Sequence, residues 1–201
     1  AEVYGWQPAD KPIKEDVALY PSSPYSVAKT AADMYIRMAM KVYGLNATIQ
    51  RSTNTYGRKS ERELQYVVED YITRMIQNRE VYLPTPDSAR QYTYVDDHVD
   101  AYVRYIEDKK SKGEVFNVAA DKLVTNEELL ETVKRLTGWN GKVVRGQYPG
   151  GYPYRPAAHE NKVIWLDTTK IRQTLGWKPR YTLEEGLRKH IDYWKPRLKA
   201  K

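Results

Sequence analysis

The sequence has no cysteine, one phenylalanine, four methionines and three histidines in 201 residues. Without cysteine there is no disulfide framework, no thiolate metal site and no cysteine nucleophile. His98, His159 and His190 are scattered, whereas metal ligands come clustered, so no metal centre is expected. No apolar run approaches the roughly 18 residues that a membrane span requires. Residues 1–20 carry acids and prolines in place of a basic-then-apolar leader. Neither a membrane nor secretion is expected, and the expected location is cytoplasmic.

What is present suits an ordinary folded domain. The chain is 41% hydrophobic and 29% charged, enough for one large domain or two small ones. Lys and Arg total 33 against 26 Asp and Glu, a net charge of +7. That excess suits an anionic substrate or nucleic acid without choosing between them. Eighteen tyrosines suggest a base-stacking surface, yet many fall on helix faces at core spacing, and no nucleic-acid-binding motif accompanies them. Trp139, Trp165 and Trp177 sit at turns and read as packing residues.

The hydrophobic pattern alternates between periods and points to α/β. It predicts helices over 26–43, 63–78, 97–108, Thr168–Leu175 and about 183–194. In the first, Ala28, Ala31, Ala32, Tyr35, Ile36 and Ala39 form the expected core stripe. Thr125-Asn126-Glu127-Glu128 opens another helix that Gly138 stops. Strands are expected at Asn46–Ser52, Gln91–Val95 and Glu114–Ala119. Residues 140–162, rich in Gly, Pro and Tyr, read as loop with one short strand. No internal repeat or low-complexity linker divides the chain.

Pro24-Tyr25-Ser26-Val27-Ala28-Lys29 is the sharpest local feature. Tyr and Lys four apart at a helix start share a face one turn apart. A phenol of pKa about 10 is a poor acid/base at neutral pH. A nearby ammonium stabilises the phenolate and makes proton exchange with a sugar hydroxyl feasible. The spacing also recurs by chance, as a surface tyrosine beside a surface lysine. Asp96-Asp97-His98 invites a metal or acid/base reading, but either aspartate is a good helix N-cap, and the structural reading is favoured.

The ordered series AEVYG at the N-terminus, SPYSVAK, RSTNTYG at 51–57 and RQYTYVDDHVDAYV at 90–103 resembles the extended short-chain dehydrogenase/reductases. It is most similar to the NAD-dependent nucleotide-sugar epimerases and dehydratases. GEVFNVA at 113–119, TNEELLETVKRLTG at 125–138 and LDTTKIRQTLGWKP at 166–179 extend the likeness over essentially the whole chain. The resemblance implies the second half of a Rossmann-type parallel sheet plus a smaller mixed α/β substrate-binding region. Residues 1–120 are expected to belong mainly to the first and 121–201 mainly to the second.

By that resemblance Tyr25 is the catalytic tyrosine and Lys29 its partner, which also contacts the nicotinamide ribose of NAD. Asn54 contacts the substrate phosphate, and Arg90 grips the nucleotide diphosphate, with Arg155 as a second such arginine. A planar guanidinium suits bidentate phosphate binding, although a solvated surface charge is the alternative for each arginine. Glu2 matches a glutamate that moves protons at the sugar ring in 4,6-dehydratases, where simple 4-epimerases carry a small or polar residue. The alternative is a solvated residue near a chain end.

No GxxGxxG-type loop occurs among the eleven glycines, so the cofactor's pyrophosphate cradle is absent from this sequence. AEVYG also falls just after the family's catalytic Ser or Thr. The expectation is a C-terminal part of an NAD-dependent enzyme, leaning to 4,6-dehydratase, silent alone and without measurable NAD binding. A non-catalytic chain that only grips a nucleotide sugar is the rival reading. A homo-oligomer is expected.

Overall fold

The computed structural model describes residues 1–57, 66–150 and 161–199. Helix α1 spans Pro24–Tyr43. Ser23 caps it reciprocally with Ser26, Pro24 sits at the start where its missing N–H is harmless, and Gly44 ends it in the left-handed conformation. The chain then forms β1 (Ile49–Ser52), β2 (Thr55–Tyr56), α2 (Val67–Ile76) and β3 (Val81–Leu83). Next come β4 (Ala89–Arg90), β5 (Thr93–Tyr94), α3 (Val95–Glu107) and β6 (Val115–Val118). The last elements are β7 (Val124–Thr125), α4 (Asn126–Thr137), β8 (Val143–Arg145), β9 (Val163–Ile164), α5 (Thr169–Leu175) and α6 (Leu183–Lys199).

The fold is α/β, and most of its strand pairs are parallel, as expected. β1 pairs with β6, β2 with β5, and β3 with β8, all parallel. β4 pairs parallel with β9 and antiparallel with β7. The strand expected at Gln91–Val95 is present only as β5, shorter than expected, because α3 already starts at Val95. Gln91 and Tyr92 separate it from β4, which precedes it and joins a different sheet. Gln91 explains the break: its buried amide donates to Ala120 O and Leu166 O and accepts Leu166 N–H. A side chain bonded to three backbone groups substitutes for the strand ladder there. The capping box of Thr125 and Glu128 opens α4 as its sequence suggested. α6 runs past the expected end at 194 and includes Pro196. That proline lies in the last turn and cannot donate to the carbonyl of Asp192.

The apolar cores are built on this arrangement. α2, α4 and α6 pack Tyr71, Ile72, Leu129, Leu130, Leu187 and Trp194 around one centre. A second cluster places Phe116 and Val118 of β6 against Ala101 of α3, Ile171 and Leu175 of α5, and Trp177. Trp139 and Trp177 are buried, as packing residues should be.

α1 departs from its sequence pattern. Its buried face is Ser26, Thr30, Asp33 and Ala39, while Ala28, Ala31, Ala32 and Tyr35 of the expected core stripe are exposed. The reason is electrostatic. Arg51 sits in β1 with its side chain 3% exposed, facing Asp33 at 4%. Arg51 Nε donates to Asp33 Oδ2 at 2.8 Å and Nη2 to Oδ1 at 2.9 Å. Its remaining nitrogen donates to Tyr4 Oη and Glu15 O, both at 3.0 Å. Tyr4 Oη in turn donates to Asn117 of β6 at 2.5 Å, and the Asn117 amide holds Ile13 O and Asp167 O. A charge in a strand interior must meet its partner, so α1 turns its polar side inward.

Removing one member of a buried pair strands the other, at about 3–5 kcal/mol. Asp33→Ala should lower the urea midpoint accordingly, and Asp33→Leu with Arg51→Met should cost less than either single change. Burial pushes the Tyr4 phenol from 10.0 up to about 12, against the opposing pull of Arg51. Burial raises Tyr56, Tyr71, Tyr92 and Tyr105 in the same direction. The unfolded chain therefore releases protons at a pH where the folded chain still holds them. These tyrosines should leave stability unaffected near neutrality and lower it as pH rises above about 10. Tyr4→Phe should flatten part of that loss in urea titrations between about pH 10 and 12.

Candidate functional site

The candidate residues lie on separate elements: Asn54 after β1, Tyr25 and Lys29 on α1, Glu2 on a turn before it and Arg90 on β4. Asn54 lies just past β1 and is exposed. Its backbone is fixed, because Thr93 N donates to Asn54 O at 3.0 Å and Thr53 N to Val118 O at 3.3 Å. In open parallel sheets, ligands bind beyond the carboxyl ends of the strands, and Asn54 occupies such a place.

Tyr25 and Lys29 lie on the first two turns of α1. Tyr25 is 62% exposed, and Lys29 Nζ stands 5.6 Å from the centre of its ring. The Ser23–Ser26 box sets the first turn of this helix. Glu2 lies half-buried in a short turn, Glu2–Tyr4, that packs against α1.

Arg90, at the end of β4, is tied to backbone carbonyls. Nη1 donates to Ala89 O and Lys162 O, both at 2.9 Å, and Nη2 to Asn161 O at 2.5 Å. The Asn161 amide lies 3.4 Å from Ser22 Oγ, one residue before the cap of α1. Asn161 and Ser22 are both buried. Arg90 is thus joined through Asn161 to the helix start that presents Tyr25. Neither Asn161 nor Ser22 carried any signal in the sequence, since each is an ordinary polar residue in a loop. Arg155 lies outside the described residues.

The Asp96-Asp97-His98 group is structural, but not by capping. α3 starts at Val95, its cap position is Tyr94, and no side chain caps it. Asp97, which is buried, instead accepts Arg180 N–H at 3.0 Å and Tyr181 N–H at 3.3 Å. Its backbone carbonyl accepts Trp177 Nε1 at 3.1 Å. Asp97 therefore clamps the segment before α6 onto α3. His98 Nδ1 meets Thr55 Oγ1 at 2.8 Å, and Asp96 faces Lys189. Among the described residues, no group of three or more acids and histidines could hold a metal. No described helix is long and apolar enough to cross a membrane.

The geometry presents an exposed phenol beside an ammonium, and holds Asn54 and Arg90 on fixed backbone elsewhere. Residues 1–190 match the family described as GDP-mannose 4,6 dehydratase. The chain belongs to the NAD-dependent epimerase/dehydratase family. It is 30% identical over 195 residues to UDP-glucose 4-epimerase of Mycolicibacterium smegmatis, covering 96% of this chain and 59% of that protein. It is 31% identical over 209 residues to dTDP-glucose 4,6-dehydratase of Haemophilus influenzae, covering 96% and 58%. It superposes on UDP-glucose 4-epimerase of Thermotoga maritima, solved with UDP-glucose, at a TM-score of 0.85. That match has 31% identity and covers 98% of this chain and 61% of the other. The chain thus spans less than two thirds of the length of these relatives.

Arg90→Ala should loosen the junction it holds. Losing charge-assisted bonds worth about 1.5 kcal/mol or more should speed amide exchange at Val163 and Ile164 roughly tenfold. Arg90→Lys should not restore protection, because a point charge cannot reach both Lys162 O and Asn161 O as the planar fork does.

Proposed function

We propose that this chain carries the proton-transfer and sugar-nucleotide-gripping part of an enzyme that modifies a nucleotide-diphosphate sugar through transient oxidation at C4. The observation that carries the reading is the Tyr25–Lys29 pair, exposed on the first two turns of a capped helix. An exposed lysine whose ammonium neighbours a phenol suits a contact to a ribose hydroxyl, so these residues fit the nicotinamide side of NAD. When bound, NAD supplies the acceptor for the C4 hydride.

Tyr25 takes the C4 hydroxyl proton, with Lys29 beside its ring. Asn54 holds a phosphate oxygen of the substrate. Arg90 faces the diphosphate and keeps its carbonyl contacts as a brace, with Arg155 as a second guanidinium. Glu2, on a turn against α1, moves a proton at the sugar ring, which favours a 4,6-dehydratase over an epimerase. The relatives include both kinds of enzyme, in keeping with a shared oxidation and different second steps. Self-association is supported by the exposed apolar side chains Val27, Met34, Tyr35 and Val42 along α1. The second reading is a chain that grips a nucleotide sugar without turning it over.

Turnover of UDP-glucose, dTDP-glucose and GDP-mannose with NAD tests the proposal, using the full-length polypeptide that carries this chain. Tyr25→Phe should reduce turnover by about two to four orders of magnitude, the usual share of a general acid/base, with little change in substrate affinity. Near-normal turnover in that variant would remove Tyr25 from the mechanism. Nucleotide-sugar binding without any turnover by the wild type would establish the second reading. Glu2→Gln should block formation of a deoxy-keto product if the enzyme is a dehydratase, and leave an epimerase indifferent.

A further inference from the structure

The segment Asn54–Gly57 is tethered at every residue. Asn54 O accepts Thr93 N–H, Thr55 Oγ1 meets His98 Nδ1, and Tyr56 Oη donates to Leu183 O at 3.1 Å. The last tether has no counterpart in the function proposed above. Gly57 N–H donates to Glu69 Oε1 at 3.1 Å, and His190 Nε2 stands 3.6 Å from the same oxygen. The Glu69 side chain is 0% exposed and that of His190 1%.

Gly57 needs such a hold. Its φ is +104°, and an added Cβ would lie 2.8 Å from Tyr94 Cε2 and 2.9 Å from Val95 Cγ1. Only glycine fits there, and glycine is the residue most costly to order. Glu69 belongs to α2 and lies within its apolar cluster, where a carboxylate demands compensation. α6 otherwise turns Leu187, Ile191 and Trp194 into that cluster, so packing alone does not require an imidazole at 190. Neither nitrogen of His190 has a hydrogen-bond partner among the described residues, and its Nε2 faces Glu69 Oε1. At 3.6 Å the pair is beyond a hydrogen bond, and a small ring movement closes it.

We propose that Glu69 and His190 are positioning residues for the Asn54 segment: the carboxylate holds Gly57 N–H, and the imidazole holds the carboxylate. The inference rests on the reading of Asn54 as a phosphate contact only for its consequence in binding. The other ionisable groups around Tyr56 are Tyr94 from β5, Asp97 from α3 and Glu185 from α6, together with Glu69 itself. α4 meets the cluster with Leu129, Leu130 and Val133. Glu69 is thus the acid that joins α2, α6 and the turn after β2.

Amide exchange at Gly57, referenced to Ile72 in α2, tests the pair directly, and calorimetric titration with UDP tests its consequence. His190→Leu fills the same space without a donor and should speed Gly57 exchange at least tenfold relative to Ile72. His190→Gln, which keeps a donor, should restore most of the protection. Glu69→Gln, isosteric and uncharged, should give an intermediate effect and serves as the readout if His190→Leu does not fold. UDP affinity should fall several-fold with the loss of Gly57 protection. Exchange at Gly57 that is unchanged, or that rises only in step with Ile72, would overturn the proposal. A wild-type protein that protects Gly57 through this pair yet does not bind UDP would overturn the reading of Asn54 and leave the positioning pair standing.

Discussion

The buried ion pair between Arg51 and Asp33 is the constraint around which this end of the molecule is arranged. Arg51 lies in β1 against α1, with its side chain almost wholly out of water. It is neutralised by Asp33, and its remaining donor capacity is taken by Tyr4 and by Glu15 O. Through Tyr4 and Asn117 the same network fixes β6 and the start of the chain. Such a pair adds less net stability than its short distances suggest, because both charges were desolvated to form it. What it confers is register: only one rotation of α1 places Asp33 against Arg51. That rotation also puts Tyr25 and Lys29 on the open side of the helix.

The candidate site is built on polar tethers to the backbone more than on apolar packing. Arg90 draws Asn161 and Lys162 to the end of β4, and Asn161 reaches Ser22 beside the cap of α1. Gln91 ties Ala120 and Leu166 to the gap between β4 and β5. Asp97 fixes the segment that leads into α6. Loops carry the exposed groups of such a site, and loops hold their shape only when their own N–H and C=O groups are bonded. Side chains that read as ligands or caps in sequence, such as Asp97, are therefore spent on holding those loops.

The sequence by itself determined the helices with clean caps, the α/β class and the identity of the Tyr25–Lys29 pair. Each of these depends on residues a few positions apart: Ser23 with Ser26, Thr125 with Glu128, Tyr25 with Lys29. Asn54 and Arg90 were legible as candidates from their motifs, but not Arg90's grip on two backbone carbonyls across the sheet. The tertiary structure alone decided which face of α1 is buried, because the deciding partner, Arg51, lies 18 residues away and outweighs the alanine stripe. It also decided the break between β4 and β5, where a buried glutamine replaces the ladder, and the meeting of Gly57, Glu69 and His190. Periodicity reports the average preference of a surface for water, whereas one desolvated charge must be answered wherever its partner lies, and no local pattern records that distance.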